Sequence, residues 1–205
     1  LPPLEEVIPW FLILVGSLSV HEAAHAWTAD QFGDSTARAL GRLTLNPLKH
    51  IDVIGTVVFP LLAVYSGLPL IGWAKPVPVT LQNLQSPRRD FAAIALAGPI
   101  SNLVLAGIGA LILMIGLDRS SVAGNLLVFA AQMNISLAIF NMIPVPPLDG
   151  GNVLAGFVPE SAARLLDGMR EWGFILLYVL VLTGALRVVM GPVAESVMRV
   201  FGVYP

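Results

Sequence analysis

The chain has no cysteine, which closes cysteine-based catalysis, thiolate metal clusters and disulfide frameworks together. Charge is almost as scarce: 12% of residues are Asp, Glu, Lys or Arg, about half the share of a soluble domain. A net charge of -2 offers no basic surface for nucleic acid, and no nucleic-acid partner is expected. Histidine occurs only three times, so chemistry that needs imidazole has few places to stand. What is plentiful is apolar: 56% of residues are hydrophobic and the mean hydropathy is +0.82. Long apolar runs with charges at their ends read as a polytopic protein of the lipid bilayer. The first run lacks a basic n-region and leads into a polar motif in place of a cleavage site, so it is read as a retained helix.

Two of the histidines stand at the foot of the run Val7–Val20, in His21-Glu22-Ala23-Ala24-His25. On a helix, residues four apart share one face. Both imidazoles can then grip one metal ion while Glu22 reaches a water on it. Such a match arises by chance in about one chain per thousand of this composition. A hydrogen-bonded structural pair is the bland alternative, and it would leave three costly polar groups in a membrane-like segment without a task.

In order along the chain, residues 1–6 form a leader and residues 7–29 a helix of about 34 Å, long enough to cross a bilayer. Residues 36–50 are too polar for a span and alternate with a period near two, which predicts an extended interfacial piece with a short strand around Ala39–Leu45. Arg38, Arg42, Lys49, Lys75, Arg88 and Arg89 crowd onto the connections before the next long helix, which makes that side cytoplasmic. Residues 51–73 are apolar but broken by Gly55, Pro60, Gly67 and Pro69. Residues 74–87 read as an edge strand or an interfacial loop. Pro76 and Pro78 are admissible only at a sheet edge, where a peptide could add itself by main-chain pairing. Residues 91–117 and 122–142 are two further spans, with Asp118 and Arg119 between them. Asn102, inside the first, needs a polar partner, either across helices or at the site.

The second of these spans runs into Asn141-Met142-Ile143-Pro144-Val145-Pro146-Pro147-Leu148-Asp149-Gly150-Gly151. Its prolines cannot continue a helix, so residues 143–151 unwind at membrane depth, which is tolerated where a cavity is lined. Asp149 is the third ligand that the histidine pair lacks, and two His, one carboxylate and an open position make a catalytic zinc set. A plain helix cap is the alternative. The histidines and Asp149 each follow a helix running inward, so they reach one depth only if residues 51–73 begin and end on the same side. A re-entrant hairpin or bent segment is therefore expected there. Short surface helices over 152–168, a last span over 172–190 and an amphipathic helix over 192–203 complete the expectation. The fold class is thus all-α and polytopic, with about four transmembrane helices plus the re-entrant segment, in one domain over 1–205.

These motifs, HEAAH and Asn141-x-x-Pro-x-Pro-x-Leu-Asp-Gly, resemble the site-2 protease family of intramembrane zinc metalloproteases. Gly41–Gly55, Gly72–Val79 and Gly98-Pro99-Ile100-Ser101-Asn102 resemble segments of its compact prokaryotic members, which have no appended PDZ or nucleotide-binding domain; Val53 stands where proline is common. The resemblance implies one Zn2+ per chain on His21, His25 and Asp149, with Glu22 as general base and Asn141 near the scissile carbonyl. It implies Glu22-assisted attack of zinc-activated water on the transmembrane helix of a membrane-protein substrate, in regulated proteolysis or clearance of remnants. The site would face the cytoplasm in a prokaryotic cell membrane. A non-proteolytic alternative, a metal transporter or a chaperone for membrane helices, has neither an inverted repeat nor a use for Glu22. His50, beside Asp52, is a competing ligand, a polar group behind the site or on its substrate side, or a local structural residue. No feature of the sequence fixes the oligomeric state.

Overall fold

Apolar runs of bilayer length can satisfy their backbone polar groups in lipid only as helices or closed barrels, and here they are helices. The computed structural model describes residues 4–66 and 72–204. It contains α1 (Leu4–Gln31), α2 (Thr36–Ala39), α3 (Phe59–Ser66), α4 (Pro87–Met114), α5 (Val122–Asn141), α6 (Asp149–Phe157), α7 (Glu160–Gly168), α8 (Arg170–Leu182) and α9 (Ala185–Val200). By length and composition, three helices can cross a membrane: α1 over Val7–Gln31, α4 and α5. The pair α8 and α9 makes a fourth if counted together, bent by 79°. The protein is therefore an all-α polytopic membrane protein, without a sheet among the described residues.

Contacts fix the helix directions. Trp10 stacks on Phe129 at 5.3 Å and Ser17 meets Asn134 at 2.9 Å, so α1 and α5 run parallel. Asn102 lies beside His21 and Ile94 beside His25, so α4 runs against α1. Ala106, Ala110, Ala131 and Gly109 let α4 and α5 approach closely. The ends of α1 and α5 thus arrive at one level, His25 on the first and Asn141 on the second.

Residues 51–73 leave and return at one place. A π-helical turn, Val53–Val58, starts on Asp52, whose carboxylate accepts the N–H groups of Ile54 and Gly55, and passes into α3. The returning chain is pinned to the outgoing one. Trp73 N–H donates to Gly55 O at 3.2 Å, the Thr56 hydroxyl to Trp73 O at 2.8 Å, and Lys75 N–H to His50 O at 2.8 Å. Lys49 and Lys75 therefore lie on the same side. Gly67 and Pro69 of the expected hairpin lie outside the described residues, as do residues 1–3 of the leader.

Two expectations are corrected, and of the two readings of residues 74–87 the loop is the one seen. Around Ala39–Leu45 there is no strand: Asp34 accepts from the N–H and hydroxyl of Thr36 and starts the helical turn α2, and Gly41, at φ 65°, redirects the chain. Residues 72–80 form neither helix nor strand, and no strand lies beside them among the described residues. Arg42 donates to the carbonyls of Lys75 and Pro76, and Asp34 accepts Thr80 N–H at 2.7 Å. The span expected over 172–190 is broken, because Gly184 turns left-handed at φ 74° and the next helix begins at Ala185 instead of near residue 192.

Candidate active site

Helix α1 sets the His21 and His25 rings edge to face, with centroids 4.7 Å apart. Helix α4 crosses them with Gly98, where a Cβ would stand 2.4 Å from His25 Nε2 and 2.5 Å from His21 Nε2. The missing side chain is what leaves room in front of the two nitrogens. One residue on, Pro99 has no N–H to donate to the carbonyl a turn earlier. In the same turn, the Ile94 carbonyl accepts from His25 Nδ1 at 2.7 Å. His21 Nδ1 lies 2.6 Å from Asn102 Oδ1.

Between α5 and α6 the proline-rich link folds back on itself. Gly150 and Gly151 are pressed against it so closely that a Cβ would fall 2.3 Å from Met142 O and 2.4 Å from Pro146 N respectively. Asp149, the first residue of α6, is thereby carried to the histidines, its Oδ2 at 3.0 Å from His21 Nε2 and 3.4 Å from His25 Nε2.

These three residues form the group of possible metal ligands among the described residues, with one ligand atom of each within 4.8 Å of the others. The donor set fits zinc on two counts. A carbonyl oxygen only accepts, so His25 carries a hydrogen on Nδ1, which leaves Nε2, on the Asp149 side, as the nitrogen that can coordinate. Two ligands about 2.0–2.1 Å from one ion in tetrahedral geometry are about 3.3 Å apart, which matches the two distances to Asp149.

The cluster opens into a cavity of about 420 Å³ that is also lined by Glu22, Asn141, Trp73, Val77 and Asn152. Glu22 is buried, and its Oε2 accepts the main-chain N–H of Val77 at 3.0 Å. Asn141 spends one amide N–H on Leu137 O at 3.0 Å and keeps the other. The five residues singled out in the sequence, His21, Glu22, His25, Asn141 and Asp149, thus line one cavity. His50 is elsewhere: its Nε2 meets Thr44 O at 2.8 Å and its carbonyl holds Lys75, a local structural task. Val77 N–H could not be read from the sequence, because a backbone donor has no residue type. Asn134, buried beside Asn102, could have been found as a polar residue inside an apolar span.

Asp34, beyond the membrane end of α1, organises the segment that flanks the cavity. It is fully buried and accepts from Thr36, Thr80 and Asn83. Burial alone would raise its pKa, but these donors outweigh it and hold the carboxyl below the usual carboxylate range.

Membrane-crossing helices that bring an HExxH pair and a distant carboxylate around an open position define a membrane-embedded metalloprotease. Residues 116–183 match Peptidase family M50. "Putative zinc metalloprotease YwhC" of Bacillus subtilis is 35% identical over 208 residues, covering 95% of this chain and 92% of the relative. "Putative zinc metalloprotease Rip2" of Mycolicibacterium smegmatis is 34% identical over 195 residues, covering 90% and 72%. Its namesake in Mycobacterium tuberculosis (strain ATCC 25618 / H37Rv) is 30% identical over 178 residues, covering 83% and 65%. No solved structure matches the chain. The chain belongs to peptidase family M50, the site-2 protease family of zinc metalloproteases.

Proposed function

We propose that this enzyme hydrolyses peptide bonds in the transmembrane helices of membrane proteins, with His21, His25 and Asp149 holding one zinc ion and Glu22 as general base. The observation that carries the reading is the facing of the imidazole nitrogens and the Asp149 oxygen at 3.0 and 3.4 Å, a separation suited to a shared cation. Zinc held there would supply Lewis-acid polarisation of the scissile carbonyl and a lowered pKa for the attacking water. Glu22 takes the proton of that water as its oxygen bonds to the carbonyl carbon, and returns it to the leaving amine as the C–N bond breaks. The Val77 N–H fixes the carboxylate for both transfers. Asn141 offers its remaining amide N–H to the developing oxyanion, a contribution of about 3 kcal/mol in comparable sites.

The substrate helix must unwind before cleavage, because a helix keeps its amides bonded to one another. Residues 72–80 offer it a replacement partner. Pro76 and Pro78 have no N–H to offer, and the Val77 N–H faces Glu22. The Val79 N–H and Val77 carbonyl, without hydrogen-bond partners among the described residues, are the groups to which an unwound segment can add. The crowd of Arg and Lys near this end supports a site toward the cytoplasm.

Zinc analysis of the purified protein tests the ligand set. One zinc per chain is expected, lost on His21→Ala, His25→Ala or Asp149→Ala and kept on Glu22→Ala. An ion that leaves with Glu22 as readily as with His21 would overturn the assignment.

A further inference from the structure

Behind His21, in the membrane interior, three helices share a file of amides. Asn102 is fully buried, and Ser17 and Asn134 nearly so. We propose that Asn134 is a positioning residue: by orienting Asn102 it decides which nitrogen of His21 carries hydrogen, and so turns the Nε2 lone pair toward the metal position. This rests on the ligand set proposed above.

The orientation starts from an atom that cannot change roles. The Ala130 carbonyl only accepts, and Asn134 Nδ2 lies 2.8 Å from it and 2.9 Å from Ser17 Oγ. The amide oxygen of Asn134 therefore faces α4, where it accepts from Asn102 Nδ2 at 2.8 Å. The second N–H of Asn102 is directed at the Ser17 carbonyl at 3.4 Å. Asn102 must then show its oxygen to His21, and an oxygen 2.6 Å from Nδ1 requires Nδ1–H. Nε2 is left bare. Were Asn102 reversed, its NH2 would face Nδ1, the ring hydrogen would move to Nε2, and that N–H would bond to Asp149 Oδ2, 3.0 Å away. The reversed state closes the ligand pair on itself. His25 needs no such device, because a main-chain carbonyl sets its ring directly.

The test is Asn134→Leu, which removes both the bond to Ala130 O and the acceptor for Asn102 Nδ2. Gln132→Leu, which removes a different α5 bond, to the Val203 carbonyl, controls for general damage to the helix. Each protein is labelled with 15N-histidine, stripped of metal and held in detergent micelles at a pH where imidazole is neutral. Nitrogen shifts then report the tautomer, with the His21 signals assigned by their loss in His21→Gln. In the wild type His21 carries Nδ1–H; in Asn134→Leu the Nε2–H form appears, while His25 is unchanged. Zinc affinity, measured by chelator competition, falls about 10- to 100-fold in Asn134→Leu and holds in Gln132→Leu. An unchanged His21 tautomer in Asn134→Leu overturns the proposal, and so does an equal loss of affinity in both variants. A wild type that binds no zinc would fail the ligand reading, while the tautomer measurement still decides the role of Asn134.

Discussion

Gly98→Ala places a methyl group where the structure leaves space for nothing. Its carbon would stand 2.4 Å from His25 Nε2 and 2.5 Å from His21 Nε2, against the 3.4 Å at which contact becomes ordinary. The rings or α4 must therefore shift by about 1 Å, whereas metal–ligand distances tolerate about 0.2 Å. The rings are not free to move, since Asn102 and Ile94 hold their other nitrogens at 2.6 and 2.7 Å. Overpacking of this kind costs about 1–3 kcal/mol of stability, which a polytopic bundle survives, but two of three ligands leave position. We expect zinc affinity to fall by at least about 100-fold while the metal-free protein keeps its helicity and unfolds cooperatively. Gly109→Ala is the matched control: its methyl carbon would meet Ala131 and Leu127 at 3.5 Å, an ordinary contact. Chelator competition in detergent reads the affinity and circular dichroism the fold. Wild-type affinity in Gly98→Ala, or an equal loss in Gly109→Ala, would refute the reasoning.

The flanking segment gives two further predictions. Val77→Pro removes the N–H that Glu22 accepts and leaves the ligands alone, so cleavage of a reconstituted membrane substrate should fall by about 100-fold with zinc content unchanged; loss of zinc together with activity would mean that the segment only supports the fold. Asp34→Asn turns an amide toward donors such as Thr80 N–H, and should cost about 2 kcal/mol at neutral pH. Because the folded pKa of Asp34 lies below its unfolded value, its contribution is fully present above about pH 4 and is lost as pH falls through the folded value. Melting of the two proteins should accordingly converge in acid, and a gap independent of pH would contradict the assignment.

The parts of the fold legible in the sequence were those dictated by solvent. Lipid forces an apolar run to become a helix, so the helices carrying His21, Asn102 and Asn141 could be placed from hydropathy, and parity alone required residues 51–73 to return. The meeting of His21, His25 and Asp149 in one candidate metal cluster was legible because metal chemistry restricts residue types and spacing at once. Residues 36–50 and 74–87 were not. Alternation suggested a strand in the first and left strand and loop open in the second, but a strand needs a partner, and the side chains that instead hold the second segment, Asp34, Arg42 and Glu22, come from far along the chain. That is long-range information, absent from any local pattern. The bend at Gly184 was hidden for another reason: an apolar run on both sides of one glycine reads equally well as one straight span or two short helices.

The central claim is that Glu22 drives hydrolysis inside membrane segments at a metal position it does not itself form. Quantitative mass spectrometry of membranes from cells making the wild type or Glu22→Gln tests it most directly, with zinc content of the purified variant measured on the same material. New peptide termini within hydrophobic segments should appear with the wild type and vanish with Glu22→Gln, the corresponding uncut segments accumulating while the variant retains its zinc. The same termini at the same abundance with a zinc-loaded Glu22→Gln protein would contradict the account.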